Sequence, residues 1–475
     1  MSTAVRRYLA VSESQPVEAI MATDWTLLPA LVKRYPRAAA QPPPPALADL
    51  LRRSYGFTRY QWDNWHSIAG QEGLGSLAMG RALRAVPSGG GLFPTELYLV
   101  GSAPGLPCGA YHYDPAADAL DLVRAGAHPR DLGLDGTDLC LVLGSVHART
   151  AFKYREFAYR LQCLDAGVLT GQLLAVLDAD GTVAEAVLRF DEDAVSRVLG
   201  LDPGAEAVMA MVAVRRHEAD EAKVVSEGRA AWGDASEDVA VPTERTRPPA
   251  LLDQLPLTRD LRAAARASAR DTAPAVPPLA PPAGEAVELP EVAVRLTDGC
   301  AERRSLDGRF AAGPLTAGQL AALTAAGAGG WHGDVGPGHL LLSCLVHDVA
   351  GVPPGAYVYD RHRLNRVGEA DRGLPRPPVL GDHGGAVALF PVGDYESGTA
   401  AQGDGWYRMQ NVVAGVAVQR LLLAAAALGL GSRVLCAYDT GDVARRLGLG
   451  GSLRPLCQVL VGPVGSTISY TQEIR

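Results

Sequence analysis

Basic charge is the first thing this sequence is short of. Lys and Arg number 44 against 52 Asp and Glu, a formal net charge of −8 over 475 residues. A protein that grips nucleic acid shows a basic stripe or patch, so no nucleic-acid partner is expected. Cysteine is sparse and unpatterned: seven residues, at 108, 140, 163, 300, 344, 436 and 457, with no CxxC pair. That excludes a disulfide framework and suits a reduced, cytoplasmic protein. The ten histidines form no HExxH, so no metal site is expected. No G-x-G-x-x-G follows a strand-like run, which removes the Rossmann signature. The first thirteen residues hold two arginines but no apolar run after them, unlike a secretory signal. The longest apolar stretch, 412–430, carries Gln419 and Arg420 near its middle. Charge there is costly in lipid, so the stretch reads as a buried helix and no membrane association is expected.

Apolar residues are plentiful: 48% of the chain is hydrophobic, enough for more than one core. Two segments are proline-rich. Pro42–Pro45 closes a short N-terminal extension, and TAPAVPPLAPPAG at 272–284 has neither helical periodicity nor a core-forming pattern. They divide the chain into an extension (1–45), a first domain (46–238), a Pro/Ala-rich linker (239–294) and a second domain (295–475). The stretch around Leu251–Arg270, rich in Leu, Ala and Arg, suggests helix within the linker.

The two domains repeat each other. Gly105–Asp114 reads GLPCGAYHYD and Gly351–Asp360 reads GVPPGAYVYD, seven identities in ten at an offset of 246. Tyr159–Leu201 aligns without a gap to Tyr407–Leu449 at an offset of 248. Both copies open on Tyr-Arg, carry Ala-Gly (166–167 and 414–415) and close on Leu-Gly-Leu. Arg-Arg-Ser precedes each copy, at 52–54 and 303–305. Each half runs helix, strand, the alternating GAYxYD, a long apolar helix and a strand-rich end. Without regular βαβ units this is an α+β class, and two similar halves in one chain imply an internal pseudo-dimer. Further self-association stays open.

Three segments carry candidate chemistry. Pro87-Ser88-Gly89-Gly90-Gly91-Leu92-Phe93-Pro94 brings consecutive glycines, which let backbone approach a flat ligand and offer N–H groups to it. The same run also suits a plain loop. Arg303-Arg304-Ser305, with Arg309 after it, suits a phosphate through charge-assisted hydrogen bonds. Either Arg303 or Arg304 could be the ligand, and a solvated basic turn is the plainer reading. Gly429-Leu430-Gly431-Ser432-Arg433 closes the apolar helix. It is either an ordinary glycine cap or a turn whose donors face a ring edge and tune its electronics.

Together, PSGGGLFPTELYLV (87–100), GAYHYDP (109–115), KYREFAYR (153–160) and AGVLTGQLL (166–174) resemble the SagB-type, or azoline oxidase, branch of the nitroreductase superfamily. The likeness covers most of 30–215 and, more weakly, 295–465. It implies FMN bound at a dimer interface and oxidation of thiazoline or oxazoline rings to azoles in ribosomally made peptides. A modified precursor peptide would be the substrate and a cyclodehydratase the partner. It also implies a composite flavin site, with the Arg-x-Ser segment and Gly-Leu-Gly turn from one unit and the Pro-Ser-Gly loop from the other.

The halves differ in a matching way. At the repeat position of Pro87–Pro94 the second half has GDVGPGHL (333–340), and at that of Gly429–Gly431 the first half has Gly181-Thr182-Val183 after Asp178 and Asp180. One competent site is therefore expected. It would be built from Pro87, Ser88, Gly89 and Gly90 of the first half with Arg303, Arg304, Ser305, Arg309, Gly429, Leu430 and Gly431 of the second. The Leu306-Asp307-Gly308 insertion departs from the usual spacing at Arg309. A mirror site on Arg52, Ser54 and Gly333 should be degenerate. By resemblance, Lys153 and Tyr154 form the base that takes a carbon-bound proton; at the repeat positions stand Ala401 and Gln402. Two other functions fit the same residues: an NAD(P)H-dependent flavin or nitroreductase acting on small molecules, and a catalytically silent scaffold binding a peptide or partner enzyme.

Overall fold

Alternation decides how the strands stack. In a computed structural model of the chain, Leu97, Leu99, Leu141 and Leu143 face one buried cluster, while their neighbours Tyr98, Val100, Cys140 and Val142 face a second. Successive side chains of a strand point to opposite faces, so such strands are covered on both sides and read as unbroken apolar runs. The structure describes residues 1–13, 23, 27–35, 38–63, 79–215, 239–242, 249–268, 275–306, 308–369, 384–466 and 470–474.

In the first half the elements run α1 (Thr3–Ser12), β1 (Ala40–Gln41), α2 (Pro45–Tyr55), β2 (Phe57–Asp63), β3 (Met79–Arg84), β4 (Thr95–Ala103), β5 (Leu106–Asp114), β6 (Ala119–Ala125), β7 (Leu139–Val146), α3 (His147–Tyr154), α4 (Ala158–Ala179), β8 (Val183–Val187), α5 (Glu192–Leu199) and β9 (Glu206–Arg215). Helix α6 (Pro256–Ala267) follows. The second half runs β10 (Ala286–Glu288), β11 (Leu315–Thr316), α7 (Ala317–Ala328), β12 (Leu341–Val346), β13 (Val349–Ala350), β14 (Gly355–Asp360), β15 (Arg363–Gly368), β16 (Val387–Asp394), α8 (Tyr395–Gln402), α9 (Trp406–Ala427), β17 (Leu430–Leu435), α10 (Thr440–Arg446), β18 (Leu453–Pro455), β19 (Gln458–Pro463) and β20 (Tyr470–Glu473).

The duplication seen in the sequence is a duplication of fold. The first sheet is ordered β1-β6-β5-β4-β7-β9-β8 and the second β10-β15-β14-β12-β16-β19-β17. Element by element these are the same sheet. The GAYxYD repeats are strands β5 and β14, and the long apolar segments are helices α4 and α9, each of 22 residues. Both helices end on a left-handed glycine at repeat positions, Gly181 (φ +70°) and Gly429 (φ +68°), the conformation that ends helices most cheaply with glycine.

Helices α4 and α9 are buried and cross each other. The crossing explains the repeated Ala-Gly. A Cβ on Gly167 would lie 2.8 Å from the Gly415 Cα and closer still to the Val412 carbonyl; one on Gly415 would meet Gly167 and the Leu164 carbonyl. Only glycine at both positions admits the approach. Arginines at the repeated Tyr-Arg then tie the halves. Arg160 donates to the Leu456 carbonyl (2.8 Å) of the second half, and Arg408 to the Met209 (2.5 Å) and Leu188 (2.7 Å) carbonyls of the first. A third sheet, β20-β2-β3, joins the C-terminal strand to the first half.

The described residues before Pro45 are built into the fold. Val5 and Tyr8 of α1 are buried, the Tyr8 hydroxyl donates to the Glu156 carbonyl (2.6 Å), and β1 extends the first sheet along β6. In the connecting segment α6 is helical around Leu261, and Arg262 pairs with Glu192. The proline-rich stretch from 275 onward has no helix, yet it is laid against the second sheet: β10 pairs with β15, and the Asn365 amide donates to the Pro282 carbonyl (3.0 Å). Residues 216–238, 243–248 and 269–274 of that connection lie outside the described residues.

Candidate functional site

The Pro-Ser-Gly loop leads into β4 and is held from behind by a carboxylate. Asp165, in the interior of α4, accepts from the Ser88 hydroxyl (2.6 Å) and the Gly89 N–H (3.1 Å). The Ser88 oxygen accepts in turn from the Phe93 N–H (2.9 Å). Burial pushes the Asp165 carboxyl up to about 7 against the pull of those two donors. Gly90 and Gly91 both sit at φ +67° and Phe93 at φ +45°, so the loop is a strained, fixed turn. This amends the expectation that its N–H groups are free: those of Gly89 and Gly91 are used internally, the latter on the Ser88 carbonyl (3.0 Å), and Gly90 is the exposed glycine.

Lys153 and Tyr154 end α3 at this loop. A Cβ on Gly90 would lie 2.7 Å from the Tyr154 hydroxyl oxygen, so only glycine leaves room for it. Burial raises the Tyr154 hydroxyl, with the Asp165 charge adding to it. The Lys153 ammonium is 5.1 Å from the Tyr154 ring centroid. Burial, then the neighbouring Arg81, push it down to about 8. A lysine there exchanges its proton near neutrality.

The second half supplies guanidiniums at the same place. Arg303 is 3% exposed and donates to the Ala85 carbonyl (2.6 Å), two residues before Pro87. Its own carbonyl accepts from Arg59 (3.4 Å). Burial, then Arg59, push Arg303 down to about 9. Ser305 bridges to Ser432, and Leu306 N–H donates to the Ser432 carbonyl (2.8 Å), so the Arg-Arg-Ser segment lies along β17 beside Gly431. Arg304, Ser305 and Arg309 are exposed. Arg303 is thus committed to the loop of the other half, and Arg304 is the exposed member of the pair. Arg309 sits farther along, its N–H on the Ser466 carbonyl (3.1 Å); Asp307 lies outside the described residues. The fold therefore brings Pro87–Gly90, Lys153, Tyr154, Arg303, Ser305 and Gly429–Gly431 to one boundary between the halves.

At the mirror position the protein's own groups pair with one another. Arg52 is paired with Asp118 (2.8 Å), and Arg53 with Asp49 (3.0 Å) and Asp180 (3.3 Å), while Ser54 is buried. Gly333 forms a bridge with Ala186. Asp334 accepts from the Leu188 (2.9 Å) and Arg189 (2.7 Å) N–H groups, and Arg189 reaches Gln402 (2.9 Å). Loop and strand end are thus zipped together there. On the other side, among the described residues, no backbone hydrogen bond joins 87–94 to β17. Carboxylates neutralise the arginines on one side; on the other, Arg303 is bonded to carbonyls.

Sequence reasoning missed Asp165. An acidic residue inside an apolar helix, replaced by Val413 at the repeat position, was the available signal.

The fold has counterparts among known proteins. The Nitroreductase family model matches residues 374–463. The trifolitoxin-processing protein TfxB of Rhizobium leguminosarum bv. trifolii is 27% identical over 168 residues, 32% of this chain and 45% of that protein; the match spans less than half of TfxB. A crystal structure of an Anabaena variabilis protein described as a nitroreductase superposes with a TM-score of 0.73, covering 98% of this chain and all of that one at 22% identity. With a nitroreductase-family match over 374–463 and the nitroreductase fold along nearly its whole length, the chain is built as two tandem nitroreductase-like domains.

Proposed function

We propose that the chain is an FMN-dependent dehydrogenase that oxidises azoline rings to azoles in a ribosomally made peptide. The observation that carries the reading is the asymmetry of the two boundaries. One sets arginines, a serine and a glycine turn against a fixed Pro-Ser-Gly loop, and the other is sealed by Asp118, Asp180 and Asp334. Arg304 and Ser305 would hold the FMN phosphate, Arg303 would tie that segment to the loop, and Gly429–Gly431 and Ser88–Gly90 would flank the ring. When bound, FMN supplies a two-electron acceptor for hydride. Lys153, as the neutral amine, removes the proton from the ring carbon that loses no hydride, and Tyr154 orients it. A peptide substrate is supported by the likeness of the motifs to azoline oxidases and by TfxB, a trifolitoxin-processing protein. A cyclodehydratase that forms the azoline and a cytoplasmic setting belong to the same proposal.

Lys153→Ala tests it. The variant should keep FMN and lose azole formation on a thiazoline peptide by about a hundredfold or more, the usual scale for a general base. Unchanged turnover would refute the role of Lys153. Rapid bleaching of the flavin by NADPH, with no azoline oxidation, would replace the proposal by a nitroreductase.

A further inference from the structure

Cys436 and Cys457 are 21 residues apart in the chain and their sulfurs are 3.6 Å apart in the fold. Antiparallel pairing brings them together. The β17–β19 ladder ends on Leu435 opposite Gln458, and one further step of that register sets Cys436 opposite Cys457. Facing residues of such a ladder have Cα atoms roughly 4.5–5.5 Å apart, inside the span of about 4.4–6.8 Å that a disulfide bridges. Among the described residues this is the cysteine pair whose sulfurs touch. Cys436 is half-buried and Cys457 buried. The hydrogen bond with Cys457, helped by the Arg160 guanidinium, holds the Cys436 thiol below its ordinary range, while Cys457 is held well above it. One thiol is therefore poised as the nucleophile and the other stays protonated beside it.

The pair stands at the candidate site. Cys436 directly follows β17, the strand that begins at Leu430, and its charge reaches Tyr154 and Arg160. Arg160 donates to the Leu456 carbonyl, next to Cys457. At the repeat position of Cys436 the first half has Leu188, whose carbonyl holds Arg408.

We propose that Cys436 and Cys457 are a redox modification site that closes to a reversible cross-strand disulfide on reaction with a peroxide. The Cys436 thiolate attacks one peroxide oxygen, breaking the O–O bond and giving a sulfenic acid. For hydrogen peroxide the leaving hydroxide takes up the proton that the Cys436 thiol gave up, and is released as water. Cys457 sulfur then attacks the Cys436 sulfur, the S–O bond breaks, and the departing hydroxide takes up the Cys457 proton as a second water. Two thiols lose two electrons, and one peroxide is reduced. Closure draws the sulfurs in by roughly 1.5 Å and moves the backbone on which Arg160 is anchored. The proposal does not depend on the azoline reading, because the oxidant is added.

The test uses the full chain treated with a few equivalents of hydrogen peroxide, then denatured, alkylated with a maleimide and digested for mass spectrometry. Alkylated cysteines should fall from seven to five, with a linked Cys436–Cys457 peptide that dithiothreitol reverses. In Cys457→Ser, Cys436 should be trapped by dimedone as the sulfenic acid. Seven alkylated cysteines in the treated wild-type chain would overturn the proposal. So would Cys436 found as sulfinic acid beside an alkylated Cys457.

Discussion

Asp165 is the residue on which the candidate loop depends most. It answers two donors, Ser88 and Gly89, from inside α4. Asp165→Ala leaves both half-buried donors without that acceptor, at about 1 kcal/mol for each lost hydrogen bond, and FMN affinity should fall at least tenfold in a fluorescence titration. Its folded pKa lies above the unfolded value near 3.9, so the native state holds the proton more tightly from about pH 4 to about 7. Stability from this group therefore falls as pH rises through that window. Melting curves of the wild type against Asp165→Asn should show this slope only in the wild type, and parallel slopes would contradict the assignment. Lys153, lowered to about 8, predicts a second pH effect of opposite use. The free amine is the working form, so kcat/KM should rise with pH to a plateau above about 8; a flat profile would remove Lys153 from the chemistry. Ser88, Gly89, Lys153, Arg303 and Gly429 stand out in the sequence as candidates because each sits in a short motif. Asp165 and the Cys436–Cys457 contact were not, because the first acts through a loop 76 residues away and the second exists only once β17 and β19 pair.

At the scale of elements, the crossing of α4 and α9 sets how the halves face each other. Gly167 and Gly415 meet there with no space for a methyl group. Gly415→Ala should destabilise the chain by about 1–3 kcal/mol or more, the range for overpacking a close contact, read as a lower urea midpoint with loss of flavin. A midpoint equal to wild type would mean that the crossing is looser than described. The Ala-Gly repeat was legible as a repeat, and its reason was not: local pattern marks an apolar helix, while the partner lies 248 residues away. The proline-rich segment shows the converse. Its composition correctly denies it a helix over 275–285 but does not reveal that it lies along the second sheet, since Pro282 contributes only a carbonyl.

The whole molecule is a symmetric frame whose two boundaries differ, and the proposed function places the site at one of them. Duplicated sheets, paired helices and the crossed Arg160 and Arg408 are symmetric. The loops at the two boundaries are not, and their partners separate them: Asp118, Asp180 and Asp334 accept from the groups on one side, while on the other Arg303 is bonded to carbonyls and Arg304 is exposed. The repeat offsets and the absence of Pro-Ser at Gly333 made the difference between the two loops legible in the sequence. The internal ion pairs that enforce it needed the fold. The most direct test is the flavin content of the purified chain, released by denaturation and quantified against protein. One FMN per chain is predicted. Two would show that the mirror boundary is intact, and none after reconstitution would contradict the composite site altogether.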